Sequence, residues 1–317
     1  MRVVVIGGTG HIGTFLVPRL LALGCEVVSV SRQQREPYQG FSAWKTVQQV
    51  NLDRHDAEAA GEFGSAIRAL KPDVVIDLIC FTPESNRQLV DALRGQVQHF
   101  LHCGTIWIHG YSTEVPTQES AARRPFGDYG LQKAMIEREL LFEARQQGFP
   151  ATVLHPGHIV GVGWAPLNPA GHFNPAVFTT LARGEALALP NLGLETVHHV
   201  HADDVAQGFE RALTHWRAAV GEAFHVVSPA AVTLRGYAEA VSGWFGQEAN
   251  LTFAPYEAWR EGIPEQDALA TWEHITRSPH CSIQKARSAL GYAPRYSSLE
   301  AVREALEALI AQGMVHL

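Results

Sequence analysis

Residues 3–6, Val-Val-Val-Ile, form an unbroken apolar run that enters Gly7-Gly8-Thr9-Gly10-His11-Ile12-Gly13, after which the apolar spacing over residues 14–21 turns helical. Strand, glycine-rich turn and helix is the order this pattern predicts. Short apolar runs and helical stretches keep alternating further along. Residues 26–30 predict a second strand, and a third ends near Asn51-Leu52-Asp53. Residues 56–70 have helical composition and stop at Lys71-Pro72, before a strongly apolar strand over 73–80. A helix over about 83–94, a strand over 99–103 and a long helix from Tyr129 to about Gln147 follow. In the C-terminal part, 222–228 read as a strand returning to the sheet, 233–245 as an amphipathic helix and 297–312 as a charged, leucine-bearing helix. The chain contains no internal repeat, low-complexity tract or linker.

Composition narrows the class. The 317 residues, 46% hydrophobic and 18% charged, suffice for one large or two unequal folded units with a sizeable core. The formal charge of −7, with no concentrated Lys/Arg block, disfavours a general nucleic-acid or anionic-membrane surface. Cys25, Cys80, Cys103 and Cys281 form no CxxC pair, so neither a disulfide framework nor a cysteine metal site is indicated. No apolar run reaches the roughly 18 residues of a membrane span, and the expected location is the cytoplasm.

The glycine stretch carries the first chemistry. Glycines let backbone approach a pyrophosphate, and the helix N-terminus behind them offers free N–H groups and a positive dipole end. Gly7-x-x-Gly10-x-x-Gly13 therefore predicts a dinucleotide site, and no Gly-Lys-Ser/Thr follows that would make it a nucleoside triphosphate loop. After the second strand, where a carboxylate would bind both ribose hydroxyls and repel a 2′-phosphate, stand Ser31 and Arg32. A small hydroxyl beside a guanidinium suits that phosphate, so NADP is favoured over NAD. Leu78, Ile79 and Cys80 should pass beneath the cofactor. Asp77 is expected to hydrogen-bond a neighbouring turn.

The second chemistry is Tyr129-Gly130-Leu131-Gln132-Lys133. Tyr and Lys four apart share one helix face. An ammonium beside a phenol favours phenolate, which can exchange a proton with a substrate alcohol or ketone while hydride moves to or from a nicotinamide.

Together, the glycine loop, Thr105 and Tyr129-x-x-x-Lys133 resemble the extended short-chain dehydrogenase/reductases, in their NAD-dependent epimerase/dehydratase branch. Leu154-His155-Pro156-Gly157-His158-Ile159-Val160-Gly161 is similar to that family's L-R-P-G-N-V-Y-G, His201-Ala202-Asp203-Asp204-Val205-Ala206 to its H-V-D-D-V-A, and residues 285–294 to its K-A-R-x-x-L-G-W-x-P. The resemblance implies an α/β fold, a Rossmann-type doubly wound parallel sheet with a smaller C-terminal substrate domain. Residues 1–161 plus about 196–228 would bind NAD(P), and about 162–195 plus 229–317 the substrate. It further implies a homodimer, with helices near 83–94 and 129–147 pairing across the interface.

For the site, the resemblance implies that Thr105 bonds the reacting oxygen, unless it is a plain strand-end hydroxyl. Tyr129 would be general acid or base, and Lys133 would hold the nicotinamide ribose and tune Tyr129. Gly7, Gly10, His11, Ile12 and Gly13 would cover the pyrophosphate, Ser31 and Arg32 the ribose phosphate, and Asn51 and Leu52 the adenine. Leu78, Ile79, Cys80, Pro156 and His158 would complete the cofactor site.

Departures from the family bear on substrate. Ile106 and Trp107 replace the dehydratase Asp-Glu pair, so a sugar 4,6-dehydratase is not expected. Val197 stands where nucleotide-sugar enzymes carry an Arg, His158 replaces the Asn of R-P-G-N, and His109 the Tyr of a V-Y-G turn. Arg183, Arg235 or Arg277 could supply a phosphate contact instead. The expected substrate region is aromatic and imidazole-rich: Trp107, His109, His158, Trp164 and His199, with His172, Phe173 and His198 nearby. Residues 162–175 read as a loop over the site, whose walls suit an aromatic or glycosidic small molecule. His198-His199-x-His201 raises a metal site, but alternation on a strand separates the rings, so no metal is expected. Three readings remain: an NAD(P)-dependent oxidoreductase acting on a secondary alcohol or ketone, a sugar or nucleotide-sugar epimerase that retains its cofactor, and a non-catalytic nucleotide- or RNA-binding protein.

Overall fold

The computed structural model describes residues 1–32 and 34–317. Strand β1 (Arg2–Ile6) is apolar throughout because both of its faces are covered. Val3 and Val5 enter one core and Val4 and Ile6 another, on opposite sides of the sheet. Around it lie β2 (Glu26–Ser31), β3 (Gln48–Asn51), β4 (Val74–Asp77), β5 (His99–Cys103) and β6 (Ala151–Pro156). With Ala223–Val226 at one edge, the order is Ala223–Val226, β6, β5, β4, β1, β2, β3, and every neighbouring pair is parallel. The order reverses between β1 and β4, which opens a crevice beyond their carboxyl ends.

On one face, α1 (His11–Ala22) packs against the helix Ala202–Thr214, and Arg19 ties the two together through Asp203 and Glu210. The other face carries α3 (Phe63–Ala69), α4 (Pro83–Leu93) and α5 (Asp128–Gln146). The expected single helix over 56–70 is two, α2 (Arg54–Ala59) and α3, divided at Gly61, whose φ of +70° ends the first. The strand expected over 73–80 leaves the sheet after Asp77, where the carboxylate accepts the Ile79 N–H at 3.2 Å and turns the chain.

A separate apolar cluster gathers Val160, Phe178, Leu189, Tyr237, Trp259, Ile275 and Leu306 in the C-terminal part. It is stitched to the sheet by the two later motifs. Asp204 accepts the backbone N–H groups of Arg295 and Tyr296 at 2.7 and 3.1 Å, Lys285 bonds Glu222 and the Ala223 carbonyl, and the Tyr292 hydroxyl donates to the Val227 carbonyl. Among the described residues, no helix is long and apolar enough to cross a membrane.

Candidate active site

The crevice forms a cavity of about 1080 Å³. Its floor is the glycine turn. Gly7 adopts φ +86°, a conformation that favours glycine, and a Cβ on Gly13 would lie 2.0 Å from the Gly8 carbonyl oxygen. Gly13 is thus required for packing α1 onto the turn and does not reach the cavity wall, whereas Gly7, Gly10, His11 and Ile12 do. Among the described residues, both ring nitrogens of His11 are buried without a hydrogen bond, and the ring stacks on Trp164 at 4.9 Å. Tyr38 closes the same group, 5.2 Å from His11 and 6.1 Å from Trp164, so the loop after Gly161 does fold over the cavity.

Ser31 and Arg32 line the end beyond β2, joined by Arg35 and Tyr38. Arg32 is exposed, 4.0 Å from Asp53, and Arg35 donates to the Tyr38 hydroxyl. Leu52 and Asp53 are on the wall. Asn51 is not: it is an exposed edge residue of β3. Leu78, Ile79, Pro156 and His158 line the cavity as expected, whereas Cys80 is turned into the core and only its carbonyl serves the site.

Behind this wall Asp77, Cys80 and His102 converge within 4.8 Å. Arg54 takes both Asp77 oxygens at 2.8 and 2.9 Å, and burial pushes the Cys80 thiol up to about 12. The group is therefore a buried ion pair beside a neutral thiol. Of the other imidazoles considered for metal, His198 bonds the Ser228 carbonyl, His199 the Leu167 carbonyl and His201 Glu304.

Thr105, Tyr129 and Lys133 all reach the cavity. Thr105 ends β5. Its Oγ1 accepts the Trp107 N–H at 3.3 Å, and its hydroxyl is directed toward the Tyr129 phenol. Its own N–H donates to Nδ1 of the fully buried His155 at 3.0 Å. That ring therefore carries its proton on Nε2, 2.9 Å from Glu137 of α5, and Arg123 clamps the same carboxylate at 2.7 and 2.9 Å. Burial pushes Glu137 up, but His155 and Arg123 outweigh it and hold the carboxyl well below its usual range.

Lys133 donates to the carbonyls of Cys80 and Cys103 at 2.7 and 2.6 Å, fixing the ends of the β4 and β5 segments. Two of its three N–H groups are used and one remains. Its Nζ is 5.9 Å from the Tyr129 ring centroid. The expected lowering of the phenol pKa by the neighbouring ammonium is not seen, with Lys133 committed to the two carbonyls. Burial raises the Tyr129 pKa, Cys103 adds to the rise, and the Thr105 hydroxyl opposes it.

Of the expected substrate residues, Trp107, His158 and Trp164 are on the wall, with Phe173. His109 and His199 are not. His109 is buried against His225, with Nε2 atoms 2.8 Å apart, and His199 lies behind His158 at 5.5 Å. None of Arg183, Arg235 and Arg277 lines the cavity. Phe81, Arg54, Tyr38 and His274 do, unforeseen from the sequence. Phe81 directly follows the β4 turn and was within reach of the strand-end rule. His274 arrives from the helix Glu265–Arg277, with no local signal.

A parallel seven-stranded sheet whose glycine turn, Thr, Tyr and Lys share one cavity defines an oxidoreductase-type nucleotide fold of the extended short-chain dehydrogenase class. The family model for the NAD dependent epimerase/dehydratase family matches residues 3–226, and the chain belongs to that family. It is 26% identical over 278 residues to the 2′-dehydrokanamycin reductase of Streptomyces kanamyceticus, covering 87% of this chain and 76% of that protein. It is 25% identical over 320 residues to the chloroplast stem-loop binding protein of 41 kDa b of Arabidopsis thaliana, covering 96% and 78%. The NAD complex of the Thermus thermophilus UDP-glucose 4-epimerase shares the fold with a TM-score of 0.73 at 22% identity, covering 98% of this chain and 99% of that one.

Proposed function

We propose that the protein transfers hydride reversibly at a secondary alcohol or ketone, with Tyr129 as proton partner. The observation that carries this is the placement of Thr105, Tyr129 and Lys133 on the wall of the same cavity as the glycine turn. When bound, NAD(P) supplies or accepts the hydride. Thr105 donates a hydrogen bond to the reacting oxygen and orients it. Tyr129 Oη gives its proton to that oxygen as it becomes an alcohol, or takes it back in the opposite direction. A phenol carries its proton at neutral pH and can deliver it in the reductive direction. The remaining Lys133 N–H would hold the nicotinamide ribose. The apolar cluster of the C-terminal part, with the 162–175 loop, forms the substrate-binding unit and excludes water.

Ser31, Arg32 and Arg35 at the adenosine end support a preference for NADP. Leu131, Met135 and Phe142 expose apolar surface on α5, which supports a homodimer formed through that helix. The stacking of Trp164 on His11 favours a second reading, an epimerase that keeps its cofactor through turnover. Both are tested by titrating purified protein with NADPH and NADH and assaying cofactor already bound. Reversible binding with NADPH preferred supports the reductase, whereas NAD surviving dialysis supports the epimerase. Failure of both cofactors to bind overturns both readings.

A further inference from the structure

Beyond Tyr129 the cavity is walled by Phe81, Trp107, His158, Phe173 and His274. Trp107 stands edge-on to Tyr129 at 5.8 Å and to His274 at 5.2 Å. His158 lies 5.3 Å from Phe173 and 5.6 Å from His274, and Phe81 closes the near side, 6.4 Å from Tyr129. Flat faces therefore surround the position next to the phenol.

The charge on this box is as informative as its shape. Among the described residues, the Lys and Arg side chains on the cavity wall are Arg32, Arg35, Arg54 and Lys133. Arg32 and Arg35 belong to the adenosine end. Arg54 is committed to Asp77 and Glu58, and Lys133 to the Cys80 and Cys103 carbonyls. Arg277 comes near but lies behind the Trp107 ring, 3.7 Å from its centroid, 1% exposed and ion-paired with Glu273. Burial holds His158 well below its ordinary pKa and His274 at about 4, so both rings are neutral at neutral pH. No carboxylate faces this end either, since Asp53 and Glu58, the acids on the wall, sit beside Arg32 and Arg54. A diphosphate would find no counter-charge here, and neither would a polyamine.

Hydrogen bonding is nonetheless provided. The His158 ring makes no hydrogen bond among the described residues, although its backbone is fixed by donation to the His198 carbonyl at 2.8 Å. The His274 ring is held by backbone, with Nδ1 donating to the Ala270 carbonyl.

We propose that the substrate is a neutral molecule joining an aromatic or apolar ring to a hydroxylated or carbonyl-bearing part, with Trp107 and Phe173 holding the ring and His158 hydrogen-bonding the polar part. This rests on the Tyr129-centred redox reading. The test uses full-length protein loaded with reduced cofactor, with binding read by nicotinamide fluorescence and calorimetry. The probes are two neutral aryl compounds, 4-nitrophenyl β-D-glucopyranoside and 4-hydroxyacetophenone, with UDP-glucose as a dianion and kanamycin as a polyamine. At least one neutral probe is expected to bind ten times or more tighter than either charged one. Trp107→Ala and the more conservatively placed Phe173→Ala, at a partly exposed position, should each weaken it about tenfold while cofactor affinity is kept. The proposal is overturned if UDP-glucose or kanamycin binds better than both neutral probes, if neither neutral probe binds at about 10 mM, or if neither substitution affects binding in protein that still holds cofactor. If wild-type protein holds no reduced cofactor, the redox reading itself falls, a result distinct from these.

Discussion

At one end of the cavity, Gly7, Gly10, His11, Ile12, Ser31 and Arg32 come from a single βαβ stretch, and backbone geometry shapes the surface. At the other, Phe81, Trp107, His158, Phe173 and His274 come from separate segments, and side-chain faces shape it. The first end bears exposed guanidinium charge and the second buried, neutral imidazoles. A phosphate-bearing cofactor and an uncharged substrate are what these two environments would each select, with Thr105, Tyr129 and Lys133 between them.

The largest effect expected is at that junction. Tyr129→Phe should lower turnover about 10²–10⁴-fold while leaving cofactor affinity near wild type. Loss of cofactor binding instead would erase the division between a binding end and a reacting centre. His155→Ala removes the acceptor of the Thr105 N–H and one partner of Glu137, and should cost about 3 kcal/mol of stability in urea unfolding. An unchanged midpoint would mean that Thr105 is held without that chain.

Much of the first end was legible in the sequence, because a glycine turn between strand and helix is a local pattern read from consecutive residues. The Tyr129/Lys133 pair was legible for the same reason, since helix spacing alone puts both on one face. His199 and His109 misled because alternation places a side chain on a face without saying what covers it. Both rings point inward to buried partners. His274 was invisible: its approach to His158 depends on how the helix Glu265–Arg277 packs, which no short pattern encodes. Asn51 failed by one residue, as β3 turns its exposed edge there and gives the wall to Leu52.

Acid sharpens the contrast of charge. Burial lowers His198 to about 3 and His199 and His274 to about 4, below the value near 6.5 expected in the unfolded chain. The unfolded state therefore takes up protons first, and stability present above about pH 6.5 is lost progressively toward pH 4, at about 1.4 kcal/mol per imidazole per pH unit. Calorimetric melting at about pH 7.5 and 5.5 should show a clear drop in Tm. A flat profile would mean the rings are hydrated.

Smaller effects probe the cofactor end. Arg32→Ala should weaken NADPH about tenfold and leave NADH unchanged, a modest effect because the guanidinium is exposed. Trp164→Ala removes the stack on His11 and should speed cofactor release a few-fold, as read by stopped-flow fluorescence. If Arg32→Ala weakens both cofactors alike, the adenosine end is not selecting a 2′-phosphate.

The central claim, that one cavity joins a dinucleotide cradle to a Tyr129-centred proton site, is tested most directly by single-turnover oxidation of bound NADPH with a neutral aryl ketone, comparing wild type with Tyr129→Phe. Rapid oxidation in wild type, slowed at least about a hundredfold in the variant at equal NADPH occupancy, is the predicted result. Equal rates in the two proteins, or no NADPH bound to either, would contradict it.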